Sequence, residues 1–132
     1  MSASINAFDA IAVGQRVLNA EAEALALLSA SLDESFVRAV ETLFDAQGRV
    51  VCTGVGKSGH VARKIAATLA STGSPAMFVH AAEASHGDLG MIGQGDVVLA
   101  LSKSGEAREL SDTLAYAKRF SIPTIAVTAV AD

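Results

Sequence analysis

The chain predicts a doubly wound parallel α/β domain with helices at its N-terminal end, and three observations carry that prediction. From about Arg49 onward, short Val/Ile/Leu/Ala runs alternate with amphipathic stretches of helix length. The runs are apolar throughout instead of at every second residue, the pattern of strands buried on both faces of a parallel sheet. Two of them end in turns rich in glycine and serine, Gly54-Val55-Gly56-Lys57-Ser58-Gly59 and Ser102-Lys103-Ser104-Gly105-Glu106. Sheets of this class place their ligands at the carboxyl ends of the strands. Both turns are expected there.

The elements follow in order. Ile5, Phe8, Ile11, Val17, Leu18, Leu25 and Leu28 recur at roughly helical spacing, predicting a first helix from about Ile5 to Ala30 with Gly14 as its weak point. Ser31-Leu32-Asp33-Glu34 reads as a capping box, Ser31 being the N-cap and Glu34 reaching back. The helix it opens carries Phe36, Val40, Leu43 and Phe44 on one face and ends near Gly48. Strands are predicted at Arg49–Thr53, Pro75–His80, Asp96–Leu101 and Pro123–Thr128. Helices are predicted at Ser58–Ser71 and Glu106–Arg119, with a short helical turn around Ala82–Leu89. The chain stops just after the fourth strand, so the expectation is a sheet truncated there, inside a longer protein.

Composition narrows the function classes. A chain of 132 residues, 51% hydrophobic and 18% charged, has room for one globular core. A net charge of -4 argues against a general nucleic-acid binder, so an anionic ligand would be held by local charge and oriented dipoles. One cysteine allows no internal disulfide, which fits a reducing compartment. No apolar run reaches the ~18 residues of a membrane span, and no basic-then-apolar leader opens the chain. A cytoplasmic protein with no membrane or nucleic-acid partner is the expectation.

The two glycine-rich turns carry the chemistry. Strand, glycine turn and helix in succession bring backbone N–H groups and a helix N-terminus to one point, where an anion is stabilised. The two turns together add two lysines and three serines, a set suited to a phosphorylated small molecule. Gly54-x-Gly56-x-x-Gly59 also matches the dinucleotide pattern, but the acidic residue expected after the next strand is replaced by His80. The nucleoside-triphosphate loop fails because Val51 stands where its first glycine belongs. Glu106 and Glu109 fall on the expected first turn of a helix, where carboxylates complement the helix dipole or, beside a sugar phosphate, move a proton. His80, Glu83, His86 and Asp88 crowd the segment after the second strand; their spacing fits a polar site wall better than a metal motif. Cys52 reads as a buried small apolar residue.

These residues resemble the sugar isomerase (SIS) domain, and within it the arabinose-5-phosphate isomerase family, from about Phe8 to Thr128. The specific pieces are Gly54-Val55-Gly56-Lys57-Ser58-Gly59-His60, Ala70-Ser71-Thr72-Gly73-Ser74-Pro75, Phe78-Val79-His80 and Glu83-Ala84-Ser85-His86-Gly87-Asp88-Leu89-Gly90-Met91. Ser102-Lys103-Ser104-Gly105-Glu106 resembles a loop shared by SIS domains generally. The resemblance implies a flavodoxin-like three-layer α/β/α fold and interconversion of D-arabinose 5-phosphate and D-ribulose 5-phosphate. That reaction supplies a precursor of the eight-carbon acid sugar of Gram-negative lipopolysaccharide. By position it implies catalytic roles for Lys57 and Glu109. Substrate contacts would come from Gly56, Ser58, Gly73, Ser74, His80, His86, Ser102, Ser104 and Glu106. It implies no required cofactor, with zinc at His80 as the metal the family accommodates, and a homo-oligomer (dimer or tetramer) associating through its helices.

Two departures bear on the phosphate loop: Ala107 stands where Ser or Thr is usual, and Lys103 replaces a more usual amide side chain. The family's remaining carboxylate and histidine, and its paired CBS domains, are expected beyond Asp132. A non-catalytic SIS module that senses a sugar phosphate inside a transcription regulator is the rival expectation.

Overall fold

The computed structural model describes residues 7–106 and 108–130. Its contacts divide the chain into two units, Met1–Val37 and Arg38–Asp132. The first is dominated by helix α1 (Ala7–Ser31), which runs unbroken through Gly14; the expectation at Ile5 lies outside the described residues. The capping box is corrected. Ser31 is the last residue of α1 and donates its hydroxyl back to the Leu28 carbonyl (2.8 Å). Asp33 caps helix α2 (Glu34–Phe44) instead, accepting from the Ser35 N–H at 2.8 Å. A carboxylate accepts from the free N–H groups and also complements the helix dipole, so it outcompetes a serine still within reach of its own helix carbonyls.

The second unit holds four parallel strands, β1 (Val50–Gly54), β2 (Ala76–His80), β3 (Val97–Leu101) and β4 (Thr124–Val127), in the order β2-β1-β3-β4. Helix α3 (Gly56–Ser71) joins β1 to β2. A short helix α4 (Ala81–Ala84) and a 3₁₀ turn (Asp88–Met91) lead from β2 to β3; a second 3₁₀ turn (Arg108–Leu110) and helix α5 (Ser111–Arg119) lead from β3 to β4. All four predicted strands are present within one residue of their expected limits at each end. The continuous-apolar pattern holds for the two central strands, every residue of β1 and β3 being buried. It fails at the edges, where β2 is half-buried and β4 largely exposed.

Alternation along the strands builds two apolar clusters. Val51, Val79, Val98 and Ala100 pack with Ala84, Ala117 and Ile122 on one face. Val50, Cys52, Leu99 and Leu101 pack with Ala62 and Ala66 of α3 on the other, joined by Leu43 of α2. This is the three-layer arrangement, helices on both faces of one sheet. Of the apolar face expected on α2, Leu43 reaches the cluster, whereas Phe44 is 86% exposed.

The amino end of the sheet is closed by one carboxylate. Asp96 is buried and accepts from the N–H groups of Arg49 (2.7 Å) and Gly93 (2.9 Å), with the Arg49 guanidinium 3.6 Å away. Gly48 passes so close that a Cβ there would collide with that carboxylate. The two long crossovers end alike. Ser74 N–H bonds to Leu69 O after α3 (3.0 Å), and Ile122 N–H to Ala117 O after α5 (2.8 Å), each across a positive-φ residue: Gly73 (φ 99) and Ser121 (φ 55). Both are Schellman ends, and they turn the chain sharply back into the next strand.

Cys52 sits inside β1 with no exposure, and burial pushes its thiol up to about 11 from 9.0. Its thiolate is disfavoured in the folded state, so the unfolded chain loses this proton first as pH rises. Stability is therefore unaffected by Cys52 below about pH 8 and falls as pH climbs past roughly 9. Folded protein at pH 8 is expected to resist iodoacetamide while urea-unfolded protein takes up one equivalent; rapid labelling of the folded protein would contradict this burial.

Candidate functional site

Register fixes what stands side by side at the carboxyl edge. Gly54 is level with His80 on one side and Leu101 on the other, and Leu101 is level with Val127. Adjacent strands lie about 4.8 Å apart, so four chain segments leave the sheet in a row. Strand order reverses between β1 and β3, the switch point where such sheets open a crevice. The two glycine-rich turns flank it.

In the first turn the glycines have different reasons. A Cβ on Gly59 would lie 2.9 Å from Gly54 O, and one on Gly54 would lie 3.1 Å from Leu101 O and from Gly59 N. These two positions let α3 start directly against β1. Gly56 has open space around it but a φ of 56°, so its conformation is what demands glycine. Val55 precedes α3 without a side-chain cap, so the first N–H groups of the helix remain available to an anion. Lys57 is exposed in that first turn, and Ser58 is half-buried.

The second turn is built by its own serines. Ser102 N–H donates to Val127 O (3.0 Å). Ser102 Oγ accepts from Gly105 N–H (3.1 Å) and Ser104 Oγ accepts from Glu106 N–H (3.2 Å). Each hydroxyl keeps its own proton for an outside acceptor. Between the two turns lies a cleft of about 360 Å³, walled by Val55 and Ser58 on one side and Leu101–Ser104 on the other. Ala129 and Val130 close it, held by Ala129 N–H to Lys103 O (3.2 Å).

Two helical expectations are corrected. The Ser102–Glu106 turn does not open an α-helix: Arg108–Leu110 is 3₁₀ and α5 begins only at Ser111. Glu106 and Glu109 therefore do not share a first α-turn. The cause is local, since the serines bind their own downstream N–H groups and Gly105 takes a φ of 73°. The helix expected over Ala82–Leu89 is split into α4 and the 3₁₀ turn by Gly87, whose φ is 129°. The expectation at Ala107 lies outside the described residues.

The structure brings Ser58, Ser102 and Ser104 to the cleft, with Gly56 and Lys57 in the turn that carries Ser58. Glu106 follows directly, and Glu109 is exposed in the 3₁₀ turn. His80 ends β2 on the same edge; exposed His86 lies beyond α4 and does not line the cleft. Gly73 and Ser74 are not brought there within this chain. They follow α3, whose 16 residues span about 24 Å, and so sit at the amino end of the sheet. His80 Nδ1 accepts from Ala82 N–H (3.2 Å), capping α4. A neutral imidazole accepting at Nδ1 carries its proton on Nε2 and offers no lone pair there. No group of three or more His, Cys, Asp or Glu able to hold a metal occurs among the described residues.

Sequence reasoning missed Ala129 and Val130, which reach the cleft only because β4 pairs with β3. It also missed Thr53 and Thr113, buried residues whose hydroxyls have no hydrogen-bond partner among the described residues. Nothing in an isolated threonine signals that.

The sequence pattern of the SIS domain matches residues 42–132. The chain belongs to the SIS domain family. Arabinose 5-phosphate isomerase KdsD of Pseudomonas aeruginosa is 53% identical over 120 residues, 91% of this chain and 37% of that protein. KdsD of Escherichia coli K12 is 48% identical over 92% of this chain and 37% of its own length. The chain thus spans little more than a third of these curated relatives. Among solved structures, an Escherichia coli CFT073 protein in complex with arabinose 5-phosphate superposes with a TM-score of 0.89 at 42% identity, over 96% of this chain and 67% of that one. The Vibrio vulnificus NanR protein, complexed with ManNAc-6P, has a TM-score of 0.80 at 25% identity over 91% of this chain and 46% of its own. The SIS match begins within α2, so α1 lies outside it.

The contact between the first turn of α3 and β1 in this SIS domain leaves no room for added volume. Gly59→Ala is expected to cost about 1–3 kcal/mol in urea unfolding, because backbone on both sides must move. Gly14→Ala in α1, where nothing lies within 4 Å, is expected to gain about 0.5–1 kcal/mol. Equal effects of the two would contradict the close approach.

Proposed function

We propose that this SIS domain belongs to an aldose–ketose isomerase and interconverts D-arabinose 5-phosphate and D-ribulose 5-phosphate, a step toward the eight-carbon sugar acid of lipopolysaccharide. The observation that carries the reading is the cleft at the switch point. It sets serine hydroxyls and uncapped N–H groups together, with Lys57 in the same turn as Ser58, in a chain half identical to curated isomerases of that substrate. A phosphate dianion seats against the start of α3 and the hydroxyls of Ser58, Ser102 and Ser104. The acidic chain as a whole repels that ligand, so the local donors must supply the attraction.

The reaction removes a proton from the carbon beside the carbonyl and returns it to the neighbouring carbon, passing through an enediolate. Glu109 relays that proton. Lys57, exposed in the first turn of α3 next to Ser58, supplies the positive charge that stabilises the enediolate oxygen. His80, His86 and Glu106 complete the sugar side, and Gly73 and Ser74, remote from this cleft, would act there only from a second copy of the chain. No helix among the described residues is long and apolar enough to cross a membrane, and we assign the protein to the cytoplasm. A second copy is also the partner we assign to α1, where Ile11, Leu18, Leu25 and Leu27 are 62–67% exposed. The NanR likeness supports sugar-phosphate sensing without turnover as the second reading, at lower identity.

The intact protein, purified and incubated with arabinose 5-phosphate, is expected to form ribulose 5-phosphate at a rate unchanged by chelator and to scatter light as a dimer or larger, whereas residues 1–132 alone are expected to bind the sugar phosphate without turning it over. Lys57→Ala is expected to lower kcat at least ~100-fold, and Ser104→Ala mainly to raise KM. Binding without turnover in the intact protein favours sensing; no binding of arabinose 5-phosphate defeats both readings.

A further inference from the structure

Thr113 and Ala117 of helix α5 are buried, as is Leu110 at the end of the 3₁₀ turn before it. Thr113 has no exposure, and its hydroxyl has no partner among the described residues. A buried hydroxyl without a partner is costly, which makes its place in the helix informative. Threonine in a helix ordinarily donates to the carbonyl four residues back. Thr42 within α2 does so, its Oγ1 reaching Arg38 O at 2.7 Å, and Thr72, the cap after α3, reaches Thr68 O at 2.9 Å. The corresponding carbonyl for Thr113 belongs to Glu109, in the 3₁₀ turn that precedes α5. A 3₁₀ turn takes about 3.0 residues instead of 3.6, a winding that sets its carbonyls off the α-helical row. Ser111 meets the tighter turn instead, donating to Arg108 O at 2.6 Å. The unmet hydroxyl and the irregular turn are thus one observation seen from two sides.

We propose that Thr113 is a positioning residue: when phosphate seats in the cleft, Arg108–Leu110 rewinds from 3₁₀ to α, and Thr113 Oγ1 closes on the Glu109 carbonyl. This inference rests on the sugar-phosphate reading of the cleft. An anion at the start of a helix stabilises α-helical geometry in the first turn, and Ser102–Glu106 leads into that turn. Rewinding by about 20° per residue redirects the Glu109 side chain, the proposed proton relay. The hydroxyl thereby penalises the unliganded turn and not the liganded one, coupling phosphate binding to the setting of Glu109.

The test compares wild type with Thr113→Val, which has the same shape without the hydroxyl, and Thr113→Ser, which restores it. Arabinose 5-phosphate affinity is read by calorimetry and unliganded stability by melting temperature. Thr113→Val is expected to melt higher than wild type without ligand and to bind roughly threefold to tenfold more weakly; Thr113→Ser is expected to bind like wild type. Thr53→Val removes the other buried, unpartnered hydroxyl among the described residues, on β1, and is expected to melt higher with unchanged affinity. Wild-type binding that Thr113→Val retains in full overturns the inference alone. So does a Thr113→Val protein that melts lower or fails to fold, which would mean the hydroxyl has a partner before ligand arrives. An equal loss of affinity in Thr53→Val overturns it too. If wild type binds no arabinose 5-phosphate, the reading of the cleft fails and the inference falls with it.

Discussion

The approach of Gly59 to Gly54 is the contact on which the rest of the site depends. With no Cβ on either residue, the first turn of α3 starts against the carbonyl edge of β1, and its uncapped N–H groups face the switch point. Any side chain there would lift the helix away and widen the crevice. The second turn then needs to supply only the opposite wall. It does so with serines whose hydroxyls are held by the adjacent N–H groups. Close packing on one side and a self-bonded loop on the other make a small cleft that carries serine hydroxyls at the end of an apolar sheet.

The two ends of that sheet are treated differently. At the amino end, Asp96 gathers the N–H groups of Arg49 and Gly93 and the Arg49 guanidinium, so the polar groups between β1 and β3 are satisfied internally. At the carboxyl end, donors are left open: the start of α3, the serine hydroxyl protons and Lys57. A domain that closes one end and leaves donors unspent at the other has a direction. In an acidic chain, that is how a local anion site survives an unfavourable overall charge.

Much of the fold was legible because β1 and β3 are buried on both faces and so carry uninterrupted apolar runs. The Ser102–Glu106 region misled because its composition reads equally as an N-cap. Only the competition between the serine side chains and Gly105's left-handed backbone decides that α5 starts at Ser111. Ser31 failed for a related reason, its hydroxyl turning back into α1 while Asp33 took the cap. The site was legible where a motif is local, as in Gly54–Gly59. It was not where strand pairing brings distant residues together, as with Ala129, or where helix length separates neighbours in a motif list, as with Ser74. A hydroxyl's lack of a partner, as in Thr113, is a property of three-dimensional packing that no sequence pattern encodes.

The most direct test of the central claim is an amide chemical-shift titration of the protein with arabinose 5-phosphate. The account predicts that the largest shifts fall on Gly56–Gly59 and Ser102–Glu106, with inorganic phosphate reproducing them more weakly. Shifts centred instead on Asp45–Gln47 and Gly95–Val97, which line the cleft at the opposite end of the sheet, would contradict it.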